Sequence, residues 1–282
     1  MLDEYFARIG YSGARAADLN VLQEIHRLHP RTIPFENVDP FLGRTPTLTI
    51  EGIFHKLVPS GRGGWCCEHN LLLKSVLDLL GFETRLLAGR VMLNQPEGMV
   101  LPRHHMLLGV MYGSDVYIAD VGFGGLTLTA PVLFETGVEQ ETPHEAVRMG
   151  TRGGKHVIEV NLDGRWTGLY SFEVQDEVMP DFETANFYLA NCPDSIFRRG
   201  LMAAKAGEGY RLTLRGRRLT RRAINKPVEV RDLNSPADLL EVMKGEFGIR
   251  LTCEEERQLV ALVPCAQEGP LDHARAPWAL SS

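Results

Sequence analysis

Two adjacent thiols, Cys66 and Cys67, lie between a pair of glycines and a largely apolar run, residues 71–80, that predicts a helix. Gly63 and Gly64 suit the tight turn that would lead the chain into this helix. Unpaired N–H groups at a helix start favour negative charge, and the ordinary thiol pKa of about 8.5 can fall there to roughly 3.5–7.5. The pattern therefore predicts a nucleophilic cysteine, unless both thiols are small apolar side chains packed beneath the helix start.

A cysteine nucleophile needs a base, and the base needs a third group that orients it. His104 and His105 begin a run that ends at Tyr112, and Asp120 ends the next run. Residues 113–115 predict a hairpin turn between two strands, which would make His105 and Asp120 near neighbours across them. Each alone is equally well explained as a solvated strand-end residue. Their pairing favours a Cys–His–Asp triad.

Other charged or metal-binding side chains give weaker signals. Arg62 would add a cation near the thiols, whereas Cys66, Cys67 and His69 lack the two separated ligand pairs of a structural zinc site. Six later arginines could assist an anionic cofactor or form a solvated strand face. They are Arg211, Arg215, Arg217, Arg218, Arg221 and Arg222.

Composition is that of an ordinary globular protein, with 282 residues of which 44% are hydrophobic and 23% charged. A net charge of −6 provides no basic field for nucleic acid. Five cysteines, an odd number in a long chain without a secretory signal, predict free thiols in a reducing compartment. No stretch approaches the ~18 apolar residues of a membrane helix. We therefore expect a cytoplasmic protein.

The elements that must position these residues fall into three segments with different residue patterns. Residues 1–82 have helical spacing of apolar residues, with Asp18 as a predicted N-cap and His29-Pro30 as the end of the second helix. From 83 to about 175, short apolar runs between turn residues predict an antiparallel sheet or small barrel. The last third mixes helices with a hairpin about Gly216. The tail after Pro264 is expected at the surface.

Together these residues resemble the arylamine N-acetyltransferases, over nearly the whole chain. The matching segments are Arg62-Gly63-Gly64-Trp65-Cys66 with Glu68 and Asn70, His105 with Leu107-Leu108, Asp120-Val121-Gly122-Phe123-Gly124-Gly125, Pro34-Phe35-Glu36-Asn37, and Asp181-Phe182, Asn186-Phe187-Tyr188, Pro193, Ser195 and Phe197. The resemblance implies a mixed α+β fold with a cysteine-protease-like catalytic core. Its parts would be an N-terminal helical bundle (1–82), a central antiparallel β-barrel (83–195) and a C-terminal α/β lid (196–282).

The resemblance also implies roles for single residues. Cys66 would be the residue that is acetylated, His105 its base and Asp120 the orienting carboxylate. Cys67 departs from the family, which usually has an aromatic or other apolar residue there. His69 stands where a neutral polar side chain is more usual, and we expect it at the surface or just behind the site.

The same resemblance implies where substrates bind. Phe35, Val91 and Phe123 would line an apolar pocket for an aryl ring, with simple core packing as the alternative. Gly124 and Gly125 would let the backbone approach CoA.

The implied activity is acetyl transfer from acetyl-CoA, the co-substrate, to an arylamine, arylhydrazine or N-hydroxyarylamine by a ping-pong mechanism. No metal, nucleic acid or membrane partner is expected, and the chain would be a monomer or a homodimer. Two other classes stay open, because fold and triad do not choose the acceptor. One is a cysteine hydrolase or transglutaminase-like enzyme, and the other is a protein that binds CoA or an aromatic ligand without turnover.

Overall fold

The structure is a computed structural model that describes residues 1–96 and 98–263. The helices are α1 (Leu2–Ile9), α2 (Leu19–Thr32), α3 (Val38–Phe41), α4 (Ile50–Leu57), α5 (Cys66–Leu79), α6 (Met179–Asn191), α7 (Ile196–Arg199), α8 (Pro236–Val242) and α9 (Cys253–Leu262). The strands are β1 (Phe35–Glu36), β2 (Glu83–Val91), β3 (His105–Tyr112), β4 (Asp115–Ala119), β5 (Val132–Leu133), β6 (Glu139–Gln140), β7 (Val147–Arg152), β8 (Lys155–Leu162), β9 (Arg165–Phe172), β10 (Met202–Gly207), β11 (Tyr210–Arg215), β12 (Arg218–Ala223) and β13 (Glu229–Asp232). Within these described ranges, no helix is long and apolar enough to span a bilayer.

Helices α1, α2, α4 and α5 pack around one apolar cluster, which also takes in side chains of β3 and β4. The predicted N-cap of α2 is confirmed, since Asp18 Oδ1 accepts a hydrogen bond of 2.9 Å from Asn20 N. The predicted end of α2 at Pro30 is wrong, because the helix continues to Thr32. Pro30 only removes one N–H donor, and the Thr32 hydroxyl supports the last turn by donating to Leu28 O at 2.9 Å.

The central strands form an antiparallel sheet of eight in the order β5-β4-β3-β2-β9-β8-β7-β6, which curls into a nearly closed barrel. The predicted hairpin register is confirmed, with Leu108 opposite Ala119 and Tyr112 opposite Asp115. Gly113 takes the turn with φ of 61°. Because strands alternate faces, this register determines which side chains of β3 and β4 reach the helices and which fill the barrel.

A second antiparallel sheet has the order β1-β10-β11-β12-β13, so the short strand β1 from the helical part is its edge. Helix α8 and a following π-helical turn, Met243–Phe247, cover its core. Thr252 caps α9, its hydroxyl accepting from Glu255 N at 3.2 Å.

The division into 1–82, 83–195 and 196–282 stays a prediction. The tail from residue 264, expected at the surface, lies outside the described residues.

Candidate active site

Cys66 is the first residue of α5, so the predicted position of the thiol at a helix start is confirmed. A Cβ on Gly63 would lie 2.0 Å from Pro34 O, and one on Gly64 would lie 2.7 Å from Glu68 Oε2. Neither glycine has a positive φ. The glycine pair is therefore needed because the chain packs closely before α5. The unusual backbone angles that we expected for the turn are not the reason.

His105 begins β3 and Asp120 directly follows β4, so the hairpin brings the two side chains together. His105 Nε2 lies 2.7 Å from Asp120 Oδ2, and both residues are buried. His105 also lies close enough to Cys66 to lower the pKa of that thiol. Because Nε2 is engaged by the carboxylate, Nδ1 is the ring nitrogen left for the thiol. The three side chains thus lie together as one array, in which His105 is hydrogen-bonded to Asp120 and Cys66 is the half-buried end.

Neighbouring groups favour the charged form of every member of this array. The Cys67 thiol and then His105 lower the pKa of Cys66 well below its ordinary value, although burial opposes them. Burial lowers the pKa of His105, but Asp120 and Cys66 outweigh it and raise the value to about 10. Burial acts to raise the pKa of Asp120, yet His105, Asn70 and the Gly122 amide hold it below its usual range. These shifts favour a thiolate, an imidazolium and a carboxylate over the neutral forms of the three groups.

Asn70 is a site residue whose role sequence reasoning missed. It lies four residues after Cys66, on the same face of α5. Its Nδ2 donates to Asp120 Oδ1 at 2.9 Å and to Met106 O at 2.8 Å, while its Oδ1 accepts from Val121 N at 3.1 Å. Asn70 therefore ties the nucleophile's helix to both strands of the hairpin. The i, i+4 spacing from the cysteine was the available signal.

Gly122 supports the carboxylate of Asp120, and His26 supports the backbone of the same residue. Gly122 N donates to Asp120 Oδ1 at 2.9 Å, and a Cβ on Gly122 would lie 2.7 Å from Cys66 Cα. His26 Nε2 accepts from Asp120 N at 3.1 Å, and burial lowers the pKa of this histidine to about 4, so it stays neutral. No local pattern in the sequence connects His26 with a residue 94 positions away.

Comparison with known proteins gives a consistent family. A family model described as N-acetyltransferase matches residues 18–256. The arylamine N-acetyltransferase of Escherichia coli (strain K12) is 39% identical over 250 residues, which are 88% of this chain and 89% of that protein. This chain belongs to the arylamine N-acetyltransferase family. The arylamine N-acetyltransferase / N-hydroxyarylamine O-acetyltransferase of Salmonella typhimurium is 33% identical over 88% of this chain and 88% of its own length.

A solved structure of the family has the same fold. The arylamine N-acetyltransferase of Mycobacterium marinum in complex with CoA has a TM-score of 0.89 and 34% identity, covering 93% of this chain and 98% of that chain. The predicted mixed α+β fold with an antiparallel barrel is thereby confirmed for this arylamine N-acetyltransferase family member.

Phe123 and Val91 differ in their distance from the array. The Phe123 ring centroid lies 5.0 Å from that of His105, edge to face, and 5.2 Å from that of Tyr170. Val91 lies at the end of β2 opposite Tyr170, and both it and Phe123 are half-buried. Phe123 is thus directly beside the base, and Val91 is one strand away from it.

Phe35 approaches the site from β1. Its ring lies 6.2 Å from that of Phe197 and packs on Gly124, where a Cβ would lie 3.6 Å from the ring. Gly124 has a φ of 85°, which favours glycine. A Cβ on Gly125 would lie 3.1 Å from Thr213 Cγ2, so Gly125 faces β11. The loop after Asp120 therefore packs against the second sheet at two strands, β1 and β11.

His69 is buried, so of the two positions that we expected, at the surface or just behind the site, the structure shows the second. Its Nε2 lies 3.2 Å from Pro34 O, which accepts only, so Nε2 carries the proton and Nδ1 accepts. His29 Nε2 then donates to His69 Nδ1 at 2.9 Å, and the Tyr5 hydroxyl donates to His29 Nδ1 at 2.8 Å. Burial lowers the pKa of His69 to about 4. The result is a neutral hydrogen-bonded chain directly behind the nucleophile's helix.

Arg62 does not serve the thiols as expected. Its Nε donates to Glu36 Oε1 at 2.8 Å, and Nη1 also pairs with Glu255 of α9. The guanidinium is buried among these carboxylates, which compensate its charge. Arg62 therefore stabilises the approach to α5 and links it to α9.

The six later arginines do not all share one surface, because Arg211 is buried. Arg211 is buried and pairs with Glu145 at 2.6 Å, Arg218 pairs with Asp232 at 3.0 Å, and Arg221 lies 3.9 Å above the Tyr210 ring. Arg211 Nη1 also donates to Thr127 O at 3.0 Å. Arg211 is fully engaged within the protein, so it is not available to a cofactor-binding face shared with the other arginines.

Proposed function

We propose that this chain transfers an acetyl group from acetyl-CoA to an arylamine, arylhydrazine or N-hydroxyarylamine, with Cys66 as the residue that carries the acetyl group. The observation that carries the proposal is the buried array of Cys66, His105 and Asp120, which keeps a thiolate beside its acid–base partner at neutral pH. Membership of the arylamine N-acetyltransferase family and likeness to a CoA complex support the donor and the acceptor class.

In the first half-reaction the Cys66 thiolate attacks the carbonyl carbon of the acetyl thioester. The bond from that carbon to the CoA sulfur breaks, and the imidazolium of His105 gives its Nδ1 proton to the departing sulfur. Thioester exchange is nearly isoenergetic, so acetyl-Cys66 stores the acetyl group without becoming a deep energy minimum.

In the second half-reaction the acceptor nitrogen, or the hydroxyl oxygen of an N-hydroxyarylamine, attacks acetyl-Cys66. His105, neutral after the first step, takes the proton that the acceptor loses, and Cys66 leaves as a thiolate. Asp120 keeps Nε2 protonated and stabilises the imidazolium that forms again. CoA departs before the acceptor reacts, which is a ping-pong mechanism.

Phe35, Val91 and Phe123 are proposed to line the acceptor pocket, because aromatic and aliphatic walls suit a flat aryl ring. The position of Phe123 against His105 supports this most strongly. Gly124 and Gly125 are proposed to lie near CoA, with Gly124 the better supported because Gly125 packs on Thr213.

Further parts of the proposal concern the molecule as a whole. We propose that the catalytic core is cysteine-protease-like, because a cysteine at a helix start faces His and Asp residues on a barrel. We retain the parts 1–82, 83–195 and 196–282, a cytoplasmic location, and a monomer or homodimer as proposals.

Intact-mass measurement after mixing with acetyl-CoA alone tests the function. One stable acetyl adduct is expected on the natural chain and none on Cys66→Ser. Release of acetate and CoA without an adduct would instead indicate a cysteine hydrolase. Neither adduct nor turnover would indicate a binding protein.

A further inference from the structure

Cys67 is a thiol beside the nucleophile that the proposed acetyl transfer does not use. Its Sγ lies 4.0 Å from that of Cys66, and both cysteines are free. Cys67 is 2% exposed and packs with Trp65, Ala88 and Met106, whereas Cys66 is half-buried. A reagent that reacts first at Cys66 therefore meets a second thiol in apolar surroundings.

The spacing of the two sulfurs restricts what can bridge them. Two bonds from sulfur to a central atom, each about 2.3 Å long, would place the sulfurs about 4.6 Å apart if they were in line. The observed 4.0 Å requires a bent centre. Soft, thiophilic centres are the ones that thiolates select.

The bridging atom must also bring its own third substituent. Among the residues described, no group of three or more His, Cys, Asp or Glu side chains is arranged to hold a metal ion. A trivalent arsenic that carries one carbon substituent meets both conditions once the two sulfurs move a few tenths of an ångström closer, because it is pyramidal and needs only two sulfurs. The ring of Phe123, 5.0 Å from that of His105, offers an aromatic wall to that substituent.

We propose that Cys66 and Cys67 form a dithiol binding site for trivalent arylarsenicals, with the aryl ring against the aromatic wall at Phe123. The Cys66 sulfur displaces one hydroxide from an arylarsonous acid, and this hydroxide leaves as water with the proton of His105. The Cys67 thiol displaces the second, its proton leaving in another water. Two As–O bonds break, two As–S bonds form, and arsenic remains trivalent.

The second bond determines how firmly the arsenical is held. Once arsenic is on Cys66, the Cys67 thiol competes as an intramolecular ligand, and such linkage raises overall affinity by roughly 10²–10⁴-fold. A monothiol in solution then fails to remove the arsenical, whereas a dithiol removes it. The site does not depend on acetyl transfer.

Phenylarsine oxide is the probe, and intact mass is the measurement. The natural chain is expected to gain one phenylarsenic group with loss of two thiol protons, stable to 2-mercaptoethanol and released by 2,3-dimercaptopropanol. In Cys67→Ala the apparent affinity should fall on the order of 10²–10⁴-fold and 2-mercaptoethanol should remove the group. Cys253→Ser, which removes an exposed thiol, should behave as the natural chain does.

A monothiol-resistant adduct that persists in Cys67→Ala or in Cys66→Ser would overturn the proposal. Cys67→Ser and circular dichroism of each variant separate loss of the thiol from loss of folding. Acetylation by acetyl-CoA is measured separately, so failure of the arsenical site and failure of the proposed transferase give different results.

Discussion

At the scale of single residues, neighbouring side chains act on the pKa of Cys66 in addition to its place at a helix start. Its thiolate faces the imidazolium of His105, which in turn is held by the buried carboxylate of Asp120. Burial opposes the charge on all three groups, so each charge persists because the next one compensates it. Removing one member should therefore change the protonation of the others.

Asp120→Asn should slow acetylation of Cys66 by roughly 10²–10⁴-fold, the usual contribution of acid–base catalysis. The amide keeps the shape of the carboxylate but no longer stabilises the imidazolium or its tautomer. Stopped-flow or quenched mass measurement of acetyl-Cys66 formation checks this. Asp115→Asn, an exposed change on the same hairpin, should have no effect. Undiminished acetylation in Asp120→Asn would show that the carboxylate is not needed.

The pH dependence of alkylation reports the thiolate directly. A lowered pKa means that the thiolate of Cys66 persists as pH falls below the ordinary thiol value and is lost only below its depressed pKa. The imidazolium partner is lost as pH rises through about 10. Iodoacetamide should thus modify the natural chain almost equally fast at pH 6 and pH 8. In His105→Gln the rate should fall more steeply from pH 8 to pH 6 than in the natural chain, since the thiol loses one of the groups that lower its pKa. Rapid reaction of that variant at pH 6 would assign the activation to Cys67 and the helix start.

At the scale of elements, the loop after Asp120 is held from both sides. Within it, the Thr127 hydroxyl donates to Asp120 O at 3.2 Å and accepts from Phe123 N at 3.3 Å. From β11, Arg211 donates to Thr127 O while Glu145 fixes the guanidinium. The second sheet therefore positions the segment that carries both the carboxylate and the proposed acceptor wall.

Arg211→Gln should lower the free energy of unfolding by about 1.5–3 kcal/mol, since it removes charge-assisted hydrogen bonds and leaves Glu145 without its partner. It should also raise KM for the arylamine, because Phe123 loses its fixed loop. Denaturant unfolding and steady-state kinetics measure the two effects. Arg222→Gln, an exposed change opposite Arg211 on the neighbouring strand, is the control. Equal behaviour of the two variants would contradict the proposal that Arg211 positions the loop after Asp120.

At the scale of the whole molecule, the chain before α5 joins the helical part to the second sheet. Gly64 O accepts from Glu36 N at 2.8 Å, and β1 pairs with β10 through Phe35 and Ala204. Arg62 extends this junction to Glu255 of α9. The start of α5 is thus held where the helical part meets the second sheet and α9.

Gly63→Ala should destabilise the protein by at least the 1–3 kcal/mol that is typical of overpacking, because the new methyl group would meet the backbone carbonyl of Pro34. Denaturant unfolding measures the loss. Gly245→Ala is the matched control, since no heavy atom lies within 4 Å of a Cβ there. Equal stability of the two variants would show that the junction can relax.

Much of the architecture was readable from local pattern. The hairpin of β3 and β4, the cap Asp18 and the start of α5 were predicted correctly, because turns, caps and alternation depend on residues close in sequence. The extension of α2 past Pro30 was missed. It depends on burial of that helix against others, which proline alone does not reveal.

The sequence by itself determined that a thiol begins a helix and that His105 and Asp120 share a hairpin, since short-range spacing sets both. Only the tertiary structure decided that Arg62 is compensated by Glu36, that His69 is buried, and that His26 and Asn70 hold Asp120. These outcomes require elements far apart in sequence to pack together. Burial and charge compensation follow from that packing and have no signature in local spacing.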